Sequence, residues 1–308
     1  MDATRNAYGK ALAQLVEQNE KIIVLDADLT KSTKTCDAKK VKKQQHYNLG
    51  IAESNMMAVA AGLAASDKIV YASTFAMFAA GRAYEQIRNS ICYPNLNVKI
   101  CATHAGITVG EDGASHQAIE DIALMRVIPN MQVIVPSDAM QTKVIIEAIA
   151  NIPGPCYVRL GRGNVEDIYE DKNTAFRFGK GNILTEGRKV AIIACGMMVQ
   201  EAMKAAKLLE VHGIKPTIID MPCIKPLDEA LLLQVSKKHD LLVTCEEHSV
   251  IGGLGSSISE YLSTHHPCKI IRIGMEDCFG ESGKPQELLH KYGLDAQKIY
   301  EKIKDYVE

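Results

Sequence analysis

Tryptophan is absent from this 308-residue chain and phenylalanine occurs only five times, so a site that must grip a flat ring has few side chains to draw on. No apolar run approaches the ~18 residues needed to span a bilayer, and the N-terminus shows no signal-peptide pattern. A soluble cytoplasmic protein with no membrane partner is therefore expected. The nine cysteines are scattered, with no C-x-x-C pair and no histidine at metal-ligand spacing. That argues against a disulfide framework and a zinc site and leaves reduced core thiols. Net charge is -2 with both signs mixed throughout, which gives nucleic acid no reason to bind. There is no P-loop, and Gly252-Gly253-Leu254-Gly255-Ser256-Ser257 lacks the third glycine of a dinucleotide fingerprint. It reads instead as the opening of a helix.

A chain of this length, 47% hydrophobic, can bury two cores. Apolar strand-like runs at 21–26, 68–72, 96–102, 131–135 and 156–160 alternate with helical patterns at 4–17, 53–65, 76–91 and 139–150. Such alternation calls for a mainly parallel sheet covered on both faces. Charge and glycine break the pattern before alternation resumes at 190–195, 202–211, 216–220, 241–245 and 270–273. The reading is α/β with two doubly wound, mainly parallel-sheet domains: residues 1–165, a linker over 166–188, and residues 189–308.

One segment concentrates chemistry. Thr103-His104-Ala105-Gly106-Ile107-Thr108-Val109-Gly110-Glu111-Asp112-Gly113-Ala114-Ser115-His116-Gln117 holds two histidines, two acids and three glycines between apolar flanks. The run before it is strand-like and 118–127 repeats apolar residues at helical spacing, so the cluster falls at the carboxyl end of a strand, where open α/β sheets build sites. Glycines that merely satisfy turn geometry are the plainer alternative, but the density of imidazole and carboxylate favours function.

Thr103-His104, then Gly110-Glu111-Asp112-Gly113, then Ser115-His116-Gln117 resembles the pyrimidine-binding domain of transketolases, thiamine-diphosphate enzymes that move two-carbon ketol units between sugar phosphates. Ala3-Thr4-Arg5, Asp28-Leu29-Thr30-Lys31-Ser32, Gly50-Ile51-Ala52-Glu53, Thr74-Phe75-Ala76-Met77-Phe78 and Leu160-Gly161-Arg162-Gly163-Asn164 resemble family segments in the family's order. The resemblance runs from residue 3 to about residue 165 and continues more loosely into the family's C-terminal domain.

Residue roles follow from the resemblance. Glu53 opens an apolar helix, where a carboxylate is also an ordinary capping choice; the family places there the glutamate that hydrogen-bonds the cofactor's aminopyrimidine. That task suits a carboxyl group in apolar surroundings, where one hydrogen bond dominates. Phe75 and Phe78 correspond to the aromatic wall of the pyrimidine, and Asp28 to a further cofactor contact. The family's third aromatic falls at Gly81, and Arg82 is expected to fill part of that space. Arg5, Ser32, His104 and Arg162 correspond to a clamp on a sugar-phosphate tail, a task that suits the arginine fork. His104, Asp112 and His116 correspond to groups that hydrogen-bond substrate hydroxyls and pass protons. One departure stands out: Ala105-Gly106 replaces the family's Asp-Ser and is closer to deoxyxylulose-phosphate synthases.

The family holds magnesium and the diphosphate with a Gly-Asp-Gly segment, which this chain lacks. No other segment offers an obvious octahedral set of oxygens, so no metal ligand is assigned. The first family-like segment begins at residue 3, so no diphosphate domain is expected upstream. The resemblance thus implies the C-terminal subunit of a split transketolase. It would bind the pyrimidine end of thiamine diphosphate while a separate N-terminal subunit brings the diphosphate site and Mg2+ or Ca2+. An α2β2 heterotetramer, or a homodimer when alone, follows by analogy. A split deoxyxylulose-phosphate-synthase-like half, another ketol or acyl transferase half, and a non-catalytic regulatory paralogue are the alternatives.

Overall fold

The structure, a computed structural model, describes residues 1–307. Its larger sheet has seven strands in the order Cys223–Lys225, Gln132–Ile134, Cys156–Arg159, Val98–Thr103, Ile69–Phe75, Ile22–Asp26 and His46–Asn48. All pair in parallel except the first, which is antiparallel to its neighbour. A second sheet of five strands runs Ile270–Met275, His239–Ser249, Lys189–Ala194, Thr217–Asp220 and Asn182–Thr185, antiparallel only at the last. A two-stranded antiparallel ribbon pairs Asp2–Ala3 with Asn164–Val165, and the two larger, mainly parallel sheets give the expected α/β architecture.

Side-chain alternation explains why helices cover both faces of the first sheet. Ile23 and Leu25 join the core shared with the helix Glu53–Ala65, while Ile22 and Val24 join the core shared with the helix Thr4–Gln18. The second sheet repeats the scheme. Ile192 and Ala194 pack with the helix Met198–Val211, and Ala191 and Ile193 with the helix Leu254–His265. Each buried isoleucine, leucine or valine among them contributes roughly 1.5–3 kcal/mol.

Three details depart from the periodicity of the sequence. The helix expected over 76–91 forms as two π-helical segments, Phe78–Arg82 and Gln86–Cys92, with Gly81 placed where a side chain would press Met77. The helix expected over 118–127 is confined to Asp121–Arg126, because Ala118 instead forms a bridge with Ala105. The strand expected over 68–72 runs on to Phe75, which carries that residue to the carboxyl end of the strand. Among the described residues no helix is long and apolar enough to cross a membrane.

Candidate active site

The parallel registers bring the expected residues to one edge. Phe75 lies opposite Thr103, and Ala102 opposite Arg159, so the carboxyl ends of three adjacent strands deliver Phe75, His104 and the turn to Arg162 side by side. His104 takes a positive φ of 58° as the chain turns off its strand, and a short 3-10 stretch, Ile107–Asp112, follows.

From there a run of contacts links the predicted residues. Arg5 Nη1 donates to the carbonyl of Ser32 at 3.1 Å and lies 3.3 Å from His104 Nε2. A guanidinium can only donate, so Nε2 accepts and the ring proton sits on Nδ1, 2.9 Å from Thr103 Oγ1. Burial, and then the charges of Arg5 and Arg162, push the His104 pKa down to about 3, so the ring is neutral throughout the physiological range. Burial and Arg162 also lower the pKa of Arg5, whose Nε is buried without a partner. Two guanidinium groups near a neutral imidazole, with an unused buried donor, suit an anion.

The His104 ring stacks on Phe75 with centroids 3.9 Å apart. Phe75 stacks on Phe78 at 5.7 Å, and His116 meets both rings edge-on at 6.3 and 5.4 Å. The Arg82 guanidinium lies 4.1 Å from the Phe78 centroid, and its Nη1 is 3.2 and 3.3 Å from the two oxygens of Glu53. Glu53 is buried at the start of its helix, ahead of Met56, Met57, Ala60 and Ala61. Aromatic walls beside a buried carboxylate fit a flat aminopyrimidine.

Two expected residues are placed differently. Ser32 enters through its carbonyl rather than its hydroxyl. Asp28 stands outside the run on an exposed turn, its carboxylate accepting from Asn48 at 3.1 Å. Asp112 and Glu111 lie within 3.8 and 3.5 Å of Arg162, which also donates to the Val109 carbonyl. Among the described residues no group of three or more His, Cys, Asp or Glu side chains could hold a metal ion.

The second domain supplies residues that sequence reasoning missed. Glu247 reaches the loop and accepts from the Thr108 N–H at 2.6 Å. Gly106, at φ 79°, has no Cβ because one there would lie 2.2 Å from the Glu247 carboxyl carbon. The Ala105-Gly106 departure therefore makes room for a carboxylate from the other domain, whose pKa burial raises. Arg159 ties the layers together: Nε donates to Asp121 at 2.9 Å, and Nη2 donates to the carbonyls of Ala118 and Glu247, both at 2.9 Å. The only sequence signal was the charged run Glu246-Glu247-His248 inside an apolar strand. Asp121→Ala, which strands the buried Arg159 charge, is expected to destabilise the fold by about 3–5 kcal/mol. Urea unfolding measures this, and a loss under about 1 kcal/mol would show the pair to be dispensable.

A transketolase pyrimidine-binding domain model matches residues 2–167, and a transketolase C-terminal domain model matches residues 179–299. A chain of Methanocaldococcus jannaschii, provisionally named a transketolase C-terminal section, is 51% identical over 97% of this chain and 94% of its own length. The 1-deoxy-D-xylulose-5-phosphate synthase of Caldanaerobacter subterraneus subsp. tengcongensis is 36% identical over 98% of this chain, which spans only 48% of that enzyme. A solved split-gene transketolase, an inactive β4 tetramer, superposes with a TM-score of 0.92 and is 54% identical, over 99% of this chain and 98% of that one.

Proposed function

The chain belongs to the transketolase family, and from that premise we propose that it is the C-terminal subunit of a split transketolase. In this reading it transfers a two-carbon ketol unit between sugar phosphates once a separate N-terminal subunit completes the site. The observation that carries the proposal is the unbroken run of contacts from Arg5 and His104 through Phe75 and Phe78 to Glu53. One end suits an anionic tail and the other a flat heteroaromatic ring.

Glu53, Phe75 and Phe78 would hold the pyrimidine end of thiamine diphosphate, which when bound supplies the electron sink for cleaving a carbon–carbon bond. Asp28 is proposed as a contact on the rim. Arg5 and Arg162 would orient the phosphate. His104, held neutral, would take a hydrogen bond from a substrate hydroxyl at Nε2 once Arg5 turns from that atom to the phosphate. His116 and Asp112, more open to solvent, would hydrogen-bond the reacting chain and move its protons. The N-terminal subunit would contribute the diphosphate site and its divalent metal in an α2β2 assembly. The inactive β4 state of the related split-gene structure supports a homo-oligomer, silent by itself, when that subunit is missing. Nine free cysteines favour a reducing compartment such as the cytoplasm. We place the domain boundaries at about residues 165 and 189, and the second sheet draws its edge strand Asn182–Thr185 from the connecting stretch.

A second reading, a split synthase-type or acyl-transferring half, draws on Ala105-Gly106 and on the likeness to the synthase. Substrate series separate the two. Neutralising Arg162 or Arg5 should raise KM for phosphorylated donors and lower their kcat/KM by roughly ten- to hundredfold, the equivalent of one charge-assisted contact of about 1.5–3 kcal/mol. Hydroxypyruvate, which has no phosphate, should lose little with the acceptor saturating. Equal losses for both donors would favour the synthase-type reading.

A further inference from the structure

Resting on the proposed function, we infer that Arg82 competes with the aminopyrimidine for Phe78 and Glu53 and must swing out for thiamine diphosphate to bind. The guanidinium makes the two contacts the aminopyrimidine is expected to make. It lies against the face of Phe78, 4.1 Å from the ring centroid, and it donates to both oxygens of the buried Glu53 at 3.2 and 3.3 Å. A flat, cationic, hydrogen-bond-donating group is a close chemical stand-in for a protonated aminopyrimidine edge, whose ring N–H donates to a carboxylate.

Local structure explains how the residue reaches this place and how it can leave. Phe78 and Arg82 begin and end one π-helical segment, so their side chains emerge on the same side. Gly81 adds no side chain to this turn, and the Arg82 guanidinium lies over the face of Phe78. The Arg82 backbone is held, its carbonyl accepting from Ser54 Oγ at 2.9 Å. The side chain is 52% exposed while Glu53 is only 4% exposed. Rotation toward solvent therefore rehydrates the guanidinium at small cost. Glu53 could not lose both partners so cheaply, because a buried carboxylate needs one donor or another. Arg82 thus satisfies the Glu53 carboxylate, and the cofactor would take over its contacts.

The test uses the full-length chain assembled with its N-terminal subunit and magnesium, titrated with thiamine diphosphate by calorimetry and stopped-flow fluorescence. Arg82→Met should bind the cofactor faster and with a Kd about three- to tenfold lower, since a half-exposed ion pair and cation–π contact no longer has to be broken. Arg82→Lys, which keeps the charge without the planar fork, should fall between. In a Glu53→Gln background the Arg82→Met effect should shrink by more than half, because the two residues act through one contact. An unchanged or higher Kd in Arg82→Met, or an effect independent of Glu53, overturns the inference. Failure of the unsubstituted complex to bind thiamine diphosphate would instead remove the functional reading on which it rests.

Discussion

Thiamine diphosphate should bind the isolated chain no better than about millimolar, and ketol transfer should be absent until an N-terminal transketolase subunit is added. The pyrimidine half of the site offers one stacking surface, worth about 0.5–1.5 kcal/mol, and one charged hydrogen-bond acceptor, worth about 1.5–3 kcal/mol. Their sum of about 2–4.5 kcal/mol corresponds to a Kd near or above millimolar. The diphosphate requires positive charge from a divalent ion held by oxygens, and the chain has no Gly-Asp-Gly segment. Calorimetry on the chain alone, then with the second subunit and magnesium, makes the comparison. Micromolar affinity with turnover by this chain alone would end the split-enzyme reading.

Replacing Glu53 should have the largest effect of any single change on chemistry. In the assembled enzyme, Glu53→Gln or Glu53→Ala is expected to lower kcat by at least ~10², the usual loss when acid–base assistance is removed, and to slow C2-proton exchange of the bound cofactor in parallel. Assembly should persist, since Glu53 lies at a helix end whose packing depends on Met56, Met57 and Ala60. Excess cofactor should recover only the part of the loss that reflects weaker binding. If Glu53→Ala kept near-normal turnover and exchange, the carboxylate would serve only to open its helix.

The placement of Asp28 and of Ser32 shows where pattern matching stops. Both lie in the segment Asp28-Leu29-Thr30-Lys31-Ser32, whose identity was readable. The segment's path, however, is set by the buried Asp26, which accepts from Thr30 and Thr35 hydroxyls at 2.9 and 3.0 Å and lies 2.7 Å from His46 Nε2. Those contacts turn the Ser32 carbonyl, not its hydroxyl, toward Arg5 and leave Asp28 on an exposed turn.

By itself the sequence determined the two-sheet architecture, because parallel strands buried on both faces read as apolar runs, as Ile22–Asp26 and Val98–Thr103 do. Its resemblance to a family also singled out Glu53, Phe75, Phe78, His104 and Arg5, which the fold brings into one run of contacts through Arg82. Only the tertiary structure joined the strand Cys223–Lys225 to the first sheet, set Glu247 against Gly106, and laid Arg82 between Phe78 and Glu53. The π-helical turns likewise emerged from packing rather than from local spacing. Periodicity reports which face of an element is buried, but not which distant group lies against it. Glu247 meets Thr108 across 139 residues and Arg82 meets Glu53 across 29, so these partners become neighbours only when the cores close around them.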